Sequence, residues 1–344
     1  MVDAAPLADA RAFGAEAFKA PNPPPRPGST DAAATPDQAP SETAGPERVL
    51  TPHAALDRIV VLVNPLSGSV GPRAGAEVEE ILADYPLDGE VIILEPGRLD
   101  AQIKAALDTE PQALFVLAGD GTARAAASMA GPTGPLVAPL PGGTMNMLPK
   151  ALYGTTDWKE ALRRALEEGA PQPISGGSVE GHSFYCAAIL GAPALWAPAR
   201  EAMRTGKLSL AVAYARRALK RAFSGHVRYS FDGAIPRKAE AVVLISPMIS
   251  RAMDEPTGLE AAAMTPSGAA EAFRLGANAL FSDWRQDPAV TTRPARRINV
   301  RARSRIPAVL DGEPVLLRHE AEVRFTPKAF RALAPEPPAA EDSV

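Results

Sequence analysis

The amino-acid sequence predicts an α/β part built in three layers on a parallel sheet, followed by a C-terminal antiparallel β-sandwich. Three observations predict this. Between Arg58 and Leu140, short apolar runs rich in β-branched residues alternate with helical patterns, the signature of βαβ units and a parallel sheet. From about Pro173 onward the helical patterns give way to many short strands separated by Gly, Pro and Asp, as expected for an antiparallel β-rich fold. The length, 344 residues, exceeds what one core usually needs, so two folded parts are expected.

Taken in order, residues 1–55 are assigned to a disordered tail. Its stretch 20–47 is dominated by Pro, Ala, Ser, Thr and Asp and cannot bury enough apolar surface to offset its ordering entropy. The α/β domain is assigned to 56–172, with strands expected at 58–63, 91–94, 113–118 and 135–140 and helices at 74–85, 99–108 and 122–130. The run Arg-Ile-Val-Val-Leu-Val at 58–63 reads as a strand buried on both faces. The β-rich domain is assigned to 173–335, with strands at 183–190, 227–231, 239–246, 269–275, 297–303, 308–310 and 320–326, interrupted by one helix at 208–223. Residues 336–344 read as a loose tail.

Composition excludes several classes. A net charge of -4 argues against general nucleic-acid binding. One cysteine, Cys186, permits neither a disulfide framework nor a cysteine-based zinc site within the chain, which fits a reducing cytoplasm. His53, His182, His226 and His319 are scattered and have no metal-ligand spacing. The first residues lack a basic start followed by an apolar run, and no segment approaches the roughly 18 apolar residues that span a bilayer, so any membrane contact is expected to be peripheral.

Three polar loops follow parallel strands. The first, Asn64-Pro65-Leu66-Ser67-Gly68, has the small residues that let backbone N–H groups approach an anion at a helix start. The second, Gly119-Asp120-Gly121-Thr122, sets an acid between two glycines, with Thr122 expected to cap the next helix. An acid in a phosphate loop is electrostatically unfavourable unless a metal or a proton transfer involves it, so Asp120 is singled out. The third is Pro141-Gly142-Gly143-Thr144-Met145-Asn146. All three fall at the carboxyl ends of strands, where an open α/β sheet binds ligands. No Gly-x-x-x-x-Gly-Lys-Ser/Thr loop occurs, and Arg124 breaks the dinucleotide fingerprint.

Taken together, these loops resemble the catalytic domain shared by diacylglycerol, sphingosine and related bacterial lipid kinases. The family pattern, Asn-Pro-x-Ser-Gly, Gly-Gly-Asp-Gly-Thr, Pro-x-Gly-Thr-x-Asn and a late Asp-Gly-Glu, occurs here in order, ending at Asp311-Gly312-Glu313. The resemblance implies an NAD-kinase/diacylglycerol-kinase-like fold, with ATP and Mg²⁺ used to phosphorylate the hydroxyl of a membrane lipid such as diacylglycerol. It implies nucleotide contacts from Asn64, Pro65, Ser67, Gly68, Gly119, Asp120, Gly121, Thr122, Gly143, Thr144 and Asn146, with Asp120 also near the metal of Mg-ATP. Glu313, Asp311 and Asp120 are the catalytic candidates, Glu313 being favoured as acceptor of the hydroxyl proton. Departures from the family are Ala118 for the first Gly of the second loop, Met147 for an Asp after the third, Pro149-Lys150 for Ala-Arg, and Glu95 for a Thr.

Basic residues concentrate around the 208–223 helix, where Arg216, Arg217, Lys220 and Arg221 are candidate contacts to an anionic membrane surface, and again at Arg293, Arg296, Arg297, Arg301, Arg303 and Arg305. The expected partners are a membrane lipid substrate and a peripheral membrane surface, without nucleic acid, and the sequence leaves a homodimer open. Two other functions are weighed: a soluble-metabolite kinase of the NAD-kinase type, and an inactive lipid- or nucleotide-binding regulator. The first loop and Asp-Gly-Glu favour the lipid family over the former, and the three retained acids speak against the latter.

Overall fold

The computed structural model describes residues 54–191, 194, 226–250, 257–265 and 290–336, all within the compact unit Arg48–Val344. The expectations for the N-terminal tail before residue 54, the 208–223 helix with Arg216, Arg217, Lys220 and Arg221, the strand at 269–275 and the last residues lie outside the described residues.

Four parallel strands, β1 (Arg58–Val63), β2 (Asp88–Ile93), β3 (Ala113–Ala118) and β4 (Leu136–Pro141), lie in the order β2-β1-β3-β4. Alternation along β1 sends Ile59, Val61 and Val63 to one face and Val60 and Leu62 to the other, and all five are fully buried. Helices α1 (Ala74–Leu82) and α5 (Trp158–Glu167) cover the first face. The second is covered by α2 (Leu99–Asp108) and α3 (Asp120–Ala130), while α4 (Met147–Tyr153) packs at the end of β4. Sheet and flanking helices make the three layers that the sequence predicts.

Helix α5, unassigned from sequence, is strongly amphipathic. Trp158, Ala161, Leu162, Ala165 and Leu166 are buried, the i, i+3, i+4, i+7, i+8 stripe of a core-facing helix. Asp157 caps it, its carboxylate accepting the N–H groups of Lys159 and Glu160 at 2.8 and 3.4 Å.

The remaining strands are β5 (Gly169–Val179), β6 (His182–Phe184), β7 (Ala187–Gly191), β8 (Val227–Phe231), β9 (Arg237–Ala239) and β10 (Ala241–Ile245). They are followed by β11 (Leu259–Met264), β12 (Val290–Ala295), β13 (Arg297–Arg301), β14 (Ile306–Leu310), β15 (Glu313–Leu317) and β16 (Glu320–Pro335). An antiparallel sheet of order β12-β11-β10-β7-β14-β15 stacks on the stretch β16-β13-β8-β9. Val227, Tyr229, Ile298, Val300 and Val323 fill the space against Leu190, Val242, Leu244, Ala261 and Leu310.

Strands β5, β11, β12 and β15 have no counterpart among the expected ones, the strand expected at 239–246 is divided into β9 and β10, and two more differ in their limits. The strand expected at 183–190 is broken into β6 and β7, because the N–H groups of Tyr185, Cys186 and Ala187 turn to the Asp311 carboxylate. The strand expected to stop at 326 continues to Pro335, with a register shift between Thr326 and Phe330, where Pro327 removes a ladder donor. This 16-residue strand pairs with β13 at one end and parallel to β4 at the other, at Ala332 opposite Val137. The first sheet is thereby continuous from the α/β layer into the sandwich. Among the described residues, no helix is long and apolar enough to cross a membrane.

Candidate active site

The carboxyl ends of β1, β3 and β4 place the three loops side by side. In the first, Asn64 donates its N–H to Leu117 O at 2.9 Å and its Oδ1 accepts from Leu66 N at 3.1 Å, a local turn typical of Asn. Ser67 Oγ accepts the Gly119 N–H at 3.1 Å, tying the first loop to the second. A Cβ on Gly68 would lie 3.4 Å from Thr144 Oγ1, so the first loop also abuts the third.

The second loop opens α3. Gly119, not Thr122, is the capping residue: it is extended, and its carbonyl accepts from Thr122 N and Ala123 N at 3.0 and 3.1 Å. Thr122 lies inside the first turn, which corrects the capping role expected from sequence. Asp120 begins the helix, and its carboxylate spans to the third loop, accepting Asn146 N at 3.0 Å and Met147 N at 3.1 Å. Burial pushes the Asp120 pKa up from its ordinary value, outweighing the pull of these donors in the other direction.

The third loop turns on Asn146, a left-handed residue with φ 48° whose Oδ1 accepts the Gly143 N–H at 2.7 Å. Gly143 is pressed against the second loop: a Cβ there would lie 3.1 Å from Gly119 Cα and 3.2 Å from Asp120 N. Met147, where the lipid-kinase pattern has Asp, gives its N–H to Asp120 and packs on the core beneath. Pro149 sits in the first turn of α4, where no intrahelical N–H is required. Among the described residues, the N–H groups of Gly68, Gly121 and Thr144 donate to no protein acceptor.

The late Asp-Gly-Glu forms the turn of the β14–β15 hairpin. Asp311 and Gly312 have φ 47° and 88°, and Leu310 faces Glu313 across the turn, a two-residue primed turn that Asp-Gly favours. Asp311 is buried: Oδ2 accepts Tyr185 N at 2.6 Å, and Oδ1 accepts Cys186 N and Ala187 N at 2.8 and 2.9 Å. Burial raises its pKa, against the pull of these three donors and the nearby Arg124 guanidinium.

The turn brings together what sequence separates by about two hundred residues. Glu313 is exposed, and its Oε1 lies 3.4 Å from where a Cβ of Gly121 would stand. Met145 Cγ lies 3.9 Å from the same position on Gly312, so the hairpin meets the second and third loops together. Arg124, from α3, donates to Leu310 O at 3.4 Å. In the sequence Arg124 stands out only as the residue that breaks the dinucleotide fingerprint. Its signal was a lone cation in a helix otherwise built of small residues.

Other expectations resolve simply. Cys186 is fully buried, and desolvation, Asp311 and Asp120 all push its thiol pKa up, which suits a core residue. His182, His226 and His319 are exposed. Glu95 is a surface residue paired with Arg98 at 2.9 Å.

Comparison with known proteins agrees with this arrangement. Residues 58–179 match the diacylglycerol kinase catalytic domain. That match covers all three loops and ends before the Asp311–Glu313 turn, and it bears out the resemblance read from the motifs. Among solved structures, a diacylglycerol kinase from Bacillus anthracis str. Sterne superposes with a TM-score of 0.64 at 18% identity, covering 82% of this chain and 98% of that one. A candidate diacylglycerol kinase from the same strain gives 0.61 at 18% identity, over 81% and 98% of the two chains. These structures share the α/β layer and the C-terminal β part, so the fold is that of the diacylglycerol-kinase type. No curated protein matches the chain.

Proposed function

We propose that the protein is an ATP-dependent lipid kinase that phosphorylates the hydroxyl of a membrane lipid such as diacylglycerol. The observation that carries this reading is the exposed Glu313 carboxylate held against Gly121, in a loop whose N–H group at that residue has no protein acceptor among the described residues. In this reading the 56–172 part holds nucleotide and the 173–335 part presents the lipid.

Phosphoryl transfer asks the protein for positioning and for charge stabilisation. The N–H groups of Gly68, Gly121 and Thr144 would receive phosphate oxygens, helped by the positive end of the 11-residue helix α3. Asn64, Pro65 and Ser67 shape the first loop, Gly119 and Thr122 the second, and Gly143 and Asn146 the third. Glu313 would take the proton of the acceptor hydroxyl as its oxygen bonds to the γ-phosphorus and the bond from that phosphorus to the β–γ bridging oxygen breaks. Asp120 and Asp311 would act through the backbone they hold: Asp120 locks the third loop to the second, and Asp311 locks the turn that carries Glu313.

The donor set fits Mg²⁺ brought in on phosphate. Among the described residues no group of three or more metal-ligating side chains occurs, and Mg²⁺ on nucleotides typically needs only one or two carboxylates. Asp120 is the carboxylate that would stand near it, and the ion would neutralise phosphate charge. The test is transfer of label from γ-labelled ATP to vesicles containing diacylglycerol, ceramide, sphingosine or phosphatidylglycerol. Label in an extractable lipid supports the reading. Label only in a soluble metabolite would replace it.

A further inference from the structure

The outer face of the sandwich half of the first sheet carries a charge pattern that folding does not explain. Along β8, β13 and β16, buried residues such as Tyr229, Val300 and Val323 alternate with outward ones, and the outward set includes Arg228, Arg297, Arg301 and Arg324. The strand register sets these cations directly opposite one another. Arg228 faces Lys238 of β9 on one side and Arg301 of β13 on the other, and Arg297 faces Arg324. Like charges in directly opposed positions destabilise a sheet. Glu320 pairs with Arg301 at 2.6 Å, and Glu322 with Arg324 at 2.5 Å and with Arg297 at 4.0 Å, but Arg228 and Lys238 have no carboxylate partner among the described residues. The cations are well exposed, Arg297 by 60% and Arg301 and Arg324 by 67% of their side chains. This concentration runs against the chain's net charge of -4.

The β8–β9 turn borders this face. It carries Ile235, the most exposed large hydrophobic side chain described, at 85%, with Arg237 and Lys238 following after Pro236. A protruding aliphatic residue beside cations matches the chemistry of a bilayer interface, where acyl chains lie beneath anionic headgroups. We propose that the outer face of β9, β8, β13 and β16 docks on an anionic lipid bilayer, with Ile235 entering the headgroup region. The choice of a bilayer over another polyanion rests on the lipid-kinase reading. The face shares no residue with the 216–221 segment singled out in the sequence.

The full chain would be sedimented with vesicles of equal parts phosphatidylglycerol and phosphatidylcholine, and with phosphatidylcholine alone. The wild type should bind the anionic vesicles and leave them as salt rises. Each basic residue near an anionic surface contributes roughly fivefold, so the triple variant R228Q/K238Q/R297Q should bind about a hundredfold more weakly. Its melting temperature should be nearly unchanged, because the repulsion removed offsets the loss of the exposed Arg297–Glu322 pair. Ile235→Ser should weaken binding while leaving its salt dependence intact. The proposal is overturned if the triple variant binds like the wild type, if the wild type ignores headgroup charge, or if single-stranded RNA of equal charge displaces the vesicles. Turnover on a short-chain, detergent-dispersed diacylglycerol should be unaffected in the triple variant. Vesicle binding by a wild type that phosphorylates no lipid would refute the kinase reading and leave the docking face standing.

Discussion

Replacing Asp311 with Asn tests whether this acid is a structural anchor for the turn that carries Glu313. The carboxylate accepts three buried N–H groups, on two oxygens. An amide offers one accepting oxygen. Placed to keep the Cys186 and Ala187 contacts, it leaves the Tyr185 N–H facing an NH₂ group, and a buried donor left unsatisfied costs about 1–3 kcal/mol. The two retained bonds lose their charge assistance, while the desolvation penalty of the carboxylate disappears, so a net loss of about 2 kcal/mol is expected. For a folded unit of this size that corresponds to a fall in melting temperature of roughly 3 °C. Hydrogen exchange should locate the damage, with the amides of residues 185–187 losing protection first. Asp311→Ala, which removes all three acceptor contacts, should fall further. The pH dependence has a definite sign. Burial holds the folded-state pKa above the ordinary 3.8, so the folded state binds this proton more tightly than the unfolded chain does. The associated stability is present below pH 3.8 and lost as pH rises through the folded pKa, so wild-type stability relative to Asp311→Asn should decline across that window. Melting temperatures of both variants within about 1 °C of wild type would refute the anchoring role.

Asp120→Asn should fold but weaken the tie to Asn146 and Met147, lowering phosphoryl transfer at least tenfold and raising the KM for ATP; steady-state kinetics with unchanged parameters would count against it. Gly143→Ala should spread the second and third loops, because its Cβ would meet backbone atoms 3.1–3.2 Å away. Overpacking of this kind costs about 1–3 kcal/mol, and an ATP titration should show the affinity loss. Removing residues 1–47 should leave the melting temperature and turnover on dispersed substrate unchanged, since Arg48–Val344 forms a compact unit by itself. A drop of several degrees on truncation would contradict this.

The α/β layer was legible because its signals are local. The run Arg58–Val63 and the helix at Leu99–Asp108 match expectation residue for residue, since burial on both faces and a helical apolar period leave their mark within ten residues. What escaped depends on distant partners. The long β16 is hidden by Pro327 and made possible by β5, a Pro- and Gly-rich strand that no propensity favours. The split of β6 from β7 is dictated by Asp311, more than a hundred residues downstream. At the candidate site, sequence order named the loops and the acids, but not what the acids touch. The involvement of two of the three carboxylates with backbone N–H groups follows from positions that β14 and α3 set in space.

The most direct test of the central claim compares wild type with Glu313→Gln in transfer of label from γ-labelled ATP to diacylglycerol. Glu313 is exposed, so the amide should leave folding and ATP binding intact while removing the acceptor for the hydroxyl proton. The account predicts labelled lipid with the wild type and a loss of roughly 10²–10⁴-fold in kcat for the variant, the range typical of a lost general base. Wild-type turnover by Glu313→Gln, or no lipid labelling by the wild type under any acceptor, would contradict it.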